Sequence, residues 1–109
     1  MDIKLNNNKY NIKVANSFYK RLTGFMMKTN INYGLLFPKC NSIHTYFMKE
    51  NIDVIGLNEN YQVIYKYENL TKNKVININN PRKLTSILEL PAGSTKKIKV
   101  GSLISFNEE

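Results

Sequence analysis

Few residues of this chain have the chemistry to hold or transform another molecule, and two of them are acids set in apolar surroundings. Glu89 stands among aliphatic neighbours in Ser86-Ile87-Leu88-Glu89-Leu90, before Pro91-Ala92-Gly93 ends the run. Asp53 opens the segment Asp53-Val54-Ile55-Gly56-Leu57. An unpaired buried carboxylate is very costly, so each acid must face water or meet a cation or hydrogen-bond donor inside. Two carboxylates about 5–10 Å apart could run glycosidase-type chemistry, but sequence alone sets no separation. Arg21 and Arg82 are the arginines in a chain whose other basic residues are all lysine. An arginine kept in such a background points to bidentate pairing with a carboxylate, here Glu89 or Asp53, in an ion pair or a ligand site. His44 is the one histidine, the residue type suited to proton transfer near neutral pH. Read as a strand, Ile43 to Met48 puts His44, Tyr46 and Met48 on one face, and turns Ile43, Thr45 and Phe47 toward a core. Lys49 follows and could reach the same cleft. The expected ligand-binding set is Arg21, His44, Tyr46, Lys49, Asp53 and Glu89, with no catalytic residue assigned.

Other chemistries are set aside. No Gly-rich loop leads into a helix through Lys-Ser or Lys-Thr, so no phosphate cradle is visible. One His and one Cys cannot build a zinc site without several carboxylates, and neither metal nor cofactor is expected. The serines lack a nucleophile-elbow context. Asn69-Leu70-Thr71 matches a glycosylation acceptor by chance.

The elements that must position these residues are short. Asn6-Asn7-Asn8 separates Ile3-Lys4-Leu5 from the alternating Tyr10-Asn11-Ile12-Lys13-Val14, a plausible opening hairpin. From Ser17 to Met27 the apolar period lengthens: Phe18, Leu22, Phe25 and Met26 share one helical face, with Asn16 or Ser17 as N-cap. Gly24 inside that helix costs about 1 kcal/mol relative to Ala, which close packing or an early helix end would explain. Short apolar runs follow at Gly34–Phe37, Ile43–Met48, Ile52–Leu57, Tyr61–Tyr67, Val75–Ile78, Leu84–Leu90 and Leu103–Phe106, with Asn58-Glu59-Asn60 as a hairpin loop. Many short strands with turn signals between them predict a mainly β fold. The expected form is a compact antiparallel β-sandwich or barrel, jelly-roll-like, with one short α-helix near residues 17–27.

The 109 residues predict a single domain, 1–109, long enough for its own core. No apolar run approaches the ~20 residues of a membrane-spanning helix. The start lacks an apolar leader and Cys40 is the single cysteine, so a reducing cytoplasm is expected. The net charge of +8 invites a nucleic-acid reading. The excess is almost all Lys, in a chain also rich in Asn and Ile, as A- and T-rich coding produces; nucleic acid is therefore not the expected partner.

The ordered motifs Arg21-Leu22-Thr23-Gly24-Phe25-Met26, Gly34-Leu35-Leu36-Phe37, Ile43-His44-Thr45-Tyr46-Phe47-Met48-Lys49, Ile52-Asp53-Val54, Leu88-Glu89-Leu90-Pro91-Ala92-Gly93 and Ile98-Lys99-Val100-Gly101 carry a resemblance. From about Ala15 to Phe106 the chain resembles the uncharacterised domain-of-unknown-function family 192. The resemblance implies a jelly-roll-type sandwich with one short helix, and structural motif positions at Gly24, Met26, Phe47, Met48, Pro91 and Gly93. It implies bacterial and archaeal members, with a bacterial source expected here, and it brings no activity. The chain departs from the family pattern at Glu50-Asn51, where an aromatic-Pro pair is usual, at Phe25 for Leu, and at Ser102 for an acid.

Three functions fit these readings. The first is non-enzymatic binding of a small polar ligand in a cleft near Arg21, His44, Asp53 and Glu89. The second is an enzyme, of hydrolase or isomerase type, using His44 or an acid as general base. The third is a basic interaction protein docking an acidic partner or polyanion. Sequence does not set the oligomeric state.

Overall fold

The computed structural model describes residues 1–5, 8–15, 24–40, 42–77 and 86–107. Its strands are β1 (Asp2–Leu5), β2 (Asn8–Val14), β3 (Gly34–Pro38), β4 (Ser42–His44), β5 (Ile52–Leu57), β6 (Val63–Leu70), β7 (Val75–Asn77), β8 (Ser86–Pro91) and β9 (Phe106–Asn107). Seven of them form one sheet in the order β6-β5-β8-β3-β2-β1-β9, and β4 pairs with β7 in a separate two-stranded sheet.

The hairpins follow the local signals. β1 and β2 pair antiparallel with Ile3 opposite Tyr10. β5 and β6 are joined through Asn58–Gln62, where Asn58 Oδ1 accepts from the backbone N–H of Asn60 and of Gln62. An Asn that bonds the backbone two residues on is a turn former, and here it fixes the loop.

The long-range pairing departs from expectation. β2 and β3 are parallel, with Ile12 opposite Gly34 and Val14 opposite Leu36, so the sheet is mixed rather than antiparallel. Parallel neighbours need a long crossover rather than a tight turn, and the chain between Val14 and Gly34 provides one. Nor is the sheet closed as a barrel. Residues 101–104 lace β6 through Val63 N–H to Ser102 O and Ile104 N–H to Tyr61 O, while Phe106 pairs with Ile3 of β1. The helix expected over 17–27 lies largely on residues 16–23, outside the described residues. Its described end, Gly24–Met27, is a turn in which Gly24 and Met27 take φ of +48° and +60°.

Each face of the sheet carries its own core. On one face Ile3, Leu5, Ile12, Leu36, Ile55, Leu57, Val63, Leu88, Leu90 and Ile104 cluster. On the other are Leu35, Phe37, Ile52, Val54 and Ile87, with Ala15, Phe25, Ile43 and Met48 laid over them from outside the sheet. Burial on both faces accounts for the near-continuous apolar runs of β3, β5 and β8. Gly34 is required at its crossing: a Cβ there would lie 2.5 Å from Ile12 Cδ1 and 2.8 Å from Leu90 Cδ2.

Candidate functional site

Asp53 and Glu89 sit on neighbouring strands and point in opposite directions. Across β5 and β8, Asp53 pairs with Leu90 and Glu89 pairs with Val54. Leu90 belongs to one core and Val54 to the other, and side chains of directly opposed residues share a face. The two acids therefore cannot share a cation or act as a pair, which corrects the expectation that they converge.

Asp53 is fully buried and its carboxylate is saturated. At the β5–β6 register shift the pairing steps from Ile52–Leu70 to Val54–Tyr67, so Glu68 and Asn69 together oppose Asp53. A bulge leaves its extra residue out of the ladder, and here Asn69, at φ +52°, donates its backbone N–H to Asp53 Oδ1 at 2.8 Å. Oδ2 accepts from Gly93 N–H at 3.1 Å, Thr95 N–H at 3.0 Å and the Thr95 hydroxyl at 2.7 Å. Gly93 takes φ +88° with open space around its missing Cβ, so backbone conformation, not crowding, calls for glycine. Pro91 O accepts from Ser94 N–H and Oγ, closing the same turn. Asp53 thus bolts the ends of β5, β6 and β8 together. A cleft of about 380 Å³ opens beside it, lined by Asp53, Glu68, Asn69, Ala92, Gly93 and Lys96.

Among the described residues Glu89 has no such set of donors. It lies buried on the opposite face between Leu35 and Val54, beneath the Gly24 turn. A Cβ on Gly24 would stand at an ordinary 3.6 Å from Glu89 Oε1 and a tighter 3.3 Å from the Phe37 ring, and the positive φ favours glycine where the turn passes over the acid. Burial pushes the Glu89 carboxyl up from 4.5 to about 8, and it carries its proton at neutral pH. Among the described residues no cation forms an ion pair with it. Arg21, its expected partner, lies outside the described residues.

The Gly24 turn is joined by a backbone hydrogen bond to the segment that follows His44. Phe25 packs edge-on to Tyr33 at 5.3 Å, and Lys13 of β2 lies 4.4 Å above the Tyr33 ring, which holds the segment against the sheet. Met27 N–H donates to Phe47 O at 2.9 Å. Glu50 accepts from the N–H groups of Asn30 and Ile31 at 2.9 and 3.2 Å. Met27 and Phe47 are both held at positive φ, +60° and +62°, a conformation that costs a bulky residue about 1–2 kcal/mol. Two such residues bonded to each other mark a strained junction, and strain of this kind clusters at functional sites.

The strand expected over Ile43–Met48 ends at His44. Beyond it the chain turns, and the alternation is lost: Met48 is buried in the core while Phe47 is exposed. The reason is Thr45. Its Oγ1 donates to Thr71 O at 2.7 Å and accepts from Lys74 N–H at 2.8 Å, which turns the backbone in toward the 71–74 loop. His44 stacks on Tyr46 at 5.5 Å, and its Nδ1 is buried with no hydrogen-bond partner. Lys49 is exposed and Met26 half-buried. Thr45, Thr95 and Glu50 were missed as positioning residues. A hydroxyl two residues beyond Gly93, and another inside the aromatic run, are the signals that pointed to the first two.

These features define a small mixed-sheet β-domain with a neutral buried acid under a strained turn. The chain belongs to the DUF192 family, described as an uncharacterised ACR, whose model matches residues 1–106, further toward the N-terminus than the motifs from Ala15. It is similar to two UPF0127 proteins, from Thermococcus sibiricus (41% identity over 59 residues, 49% of this chain) and Thermococcus kodakarensis (34% over 104 residues, 87% of this chain). The aligned region spans 38% and 64% of those relatives, less than two thirds of either. Both are archaeal, which overturns the expectation of a bacterial source. In fold the chain resembles a crystal structure of a protein of unknown function from Novosphingobium aromaticivorans, with a TM-score of 0.74 and 14% identity over 96% of this chain and 82% of that one.

Proposed function

We propose that the chain is a non-enzymatic binding module that takes a small polar ligand at the face of the sheet where Glu89 is buried, below the Gly24–Met27 turn and beside His44 and Tyr46. The observation that carries this reading is the protonated Glu89 carboxyl set in an apolar core. Perturbed acids of this kind gather at functional sites, and a neutral carboxyl offers an O–H donor to a ligand acceptor. The unpartnered Nδ1 of His44 supports it, since a buried polar atom normally finds a partner. Asp53 leaves the ligand set because its oxygens are occupied from the other face. Arg21 and Lys49 stay in it as candidates for an anionic ligand group. Thermal-shift measurements with carboxylates, sugars and nucleotides test the proposal, using wild type and Glu89→Gln. A ligand that stabilises the wild type and shifts the variant less is the expected result. No stabilisation by any of the three classes refutes it.

A second reading rests on the same proton: a carboxyl titrating near 8 is suited to general-acid work at neutral pH. It requires turnover that falls above pH 8 and is lost in Glu89→Gln. We place the chain in the cytoplasm as one domain, a reading supported by its single free thiol, Cys40.

A further inference from the structure

Of the loops at one end of the sheet three are tied together, and we propose that their joined tip docks on an anionic lipid bilayer. β5 begins at Ile52, opposite the ends of β6 at Leu70 and of β8 at Pro91. The start of β3 lies there too, since Gly34 packs on Leu90. The loops 24–33, 45–51 and 71–74 therefore issue side by side. Met27 to Phe47, Asn30 and Ile31 to Glu50, and Thr45 to Thr71 and Lys74 tie them into one body.

That body presents what a soluble surface normally hides. Phe47 is 67% exposed and Met27 59%, and Tyr46 and Val75 stand exposed beside them. Exposed apolar side chains that share one place mark an interaction site. Both Met27 and Phe47 are held at positive φ. Around them Lys28, Lys49, Lys72 and Lys74 are all exposed. Glu50, the one carboxylate in these loops, is turned onto the N–H groups of Asn30 and Ile31. The tip is apolar, ringed by positive charge, with its acid withdrawn.

The details favour lipid over an acidic protein or a nucleic acid. Of these side chains only Phe47 offers a base an uncovered aromatic face, since Met27 and Val75 are aliphatic and the Tyr46 ring already lies on His44. All four cations are lysines, mobile point charges that suit a diffuse anionic surface. Arginine is the residue that grips a fixed carboxylate or phosphate in two places. Apolar side chains at the acyl boundary with lysines in the headgroup layer is the arrangement of peripheral membrane binding.

Flotation of the full chain with phosphatidylcholine vesicles, with and without phosphatidylglycerol, tests this. Asn tolerates positive φ better than Phe, so Phe47→Asn removes the apolar tip without added strain. The expected result is binding to the phosphatidylglycerol vesicles only, weakening steeply with salt. Phe47→Asn then binds about tenfold more weakly with an undiminished melting temperature. The double variant Lys28→Gln, Lys49→Gln binds about thirtyfold more weakly with a flatter salt dependence. Should Phe47→Asn melt lower than wild type, Met27→Asn takes its place with the same expected loss. No binding to anionic vesicles, or wild-type binding by these apolar-tip variants, overturns the proposal. So does binding to polyglutamate or a single-stranded oligonucleotide without binding to vesicles, which would assign the tip to an acidic macromolecule.

Discussion

Replacing Glu89 by Gln keeps the shape of the side chain and removes its titrating proton. The carboxyl titrates near 4.5 when exposed and at about 8 in the folded chain. Below 4.5 both states carry the proton, and Glu89 makes stability no more dependent on pH. Between the two values the unfolded chain releases the proton and the folded chain keeps it. The folded state then binds more protons, and stability falls with rising pH by about 1.4 kcal/mol per pH unit. Above 8 both states have lost the proton and the fall stops. Over the whole window Glu89 removes about 5 kcal/mol, and by pH 7 about 3 kcal/mol. That is a large part of the 5–15 kcal/mol typical of a domain. Urea denaturation of wild type and Glu89→Gln at several pH values between 5 and 9 isolates this contribution, because every other group is common to both. The difference between the two proteins should widen in favour of Gln as pH rises and level off above 8. Parallel stability curves refute the reasoning. A variant less stable than wild type at pH 8.5 also refutes it, and would show Glu89 ionised against a cation such as Arg21.

Three further perturbations test the frame around the site. Asp53→Asn turns an amide N–H₂ toward N–H donors and leaves part of a buried donor set unmatched, so it should destabilise by about 3 kcal/mol. Thr95→Val, which removes one of the four donors, should lower stability by about 1 kcal/mol; chemical denaturation measures both, and equal losses would contradict the clamp. Gly34→Ala forces a methyl against Ile12 and Leu90 and should lower stability by about 1–3 kcal/mol, visible as a fall of several degrees in Tm.

What was legible in the sequence was local. The β1–β2 hairpin was marked by the Asn-rich break in the apolar pattern, and the turn at Asn58–Asn60 follows from an Asn side chain that bonds nearby backbone. The mainly β character follows from short apolar runs. The parallel pairing of β2 with β3 was not legible, because it is set by where the chain returns after residues 15–33 and no turn encodes it. The face of each acid was hidden for the same reason: Asp53 and Glu89 look alike in sequence, and only the β5–β8 register turns them apart. Phe47 and Met48 exchange the places that alternation gave them because Thr45 bonds to a loop 26 residues away.

Asp53 and Glu89 then explain each other. The ends of β5, β6 and β8, which Asp53 binds with four hydrogen bonds, are the ends from which the 45–51 and 71–74 loops depart. Those loops hold strained Phe47 and an exposed apolar tip, His44 with its unpartnered nitrogen ends β4 just before them, and Glu89 lies beneath the neighbouring turn. Each of these features is unfavourable to folding. A tip that carries them all keeps one conformation only if its base is over-determined, and the saturated Asp53 provides that base. Loosening it in Asp53→Asn should therefore do more than lower global stability. Amide hydrogen exchange should quicken first at Thr45, Met48 and Lys74, ahead of β1 and β2. Uniform quickening across the sheet would show that the tip is held independently of Asp53.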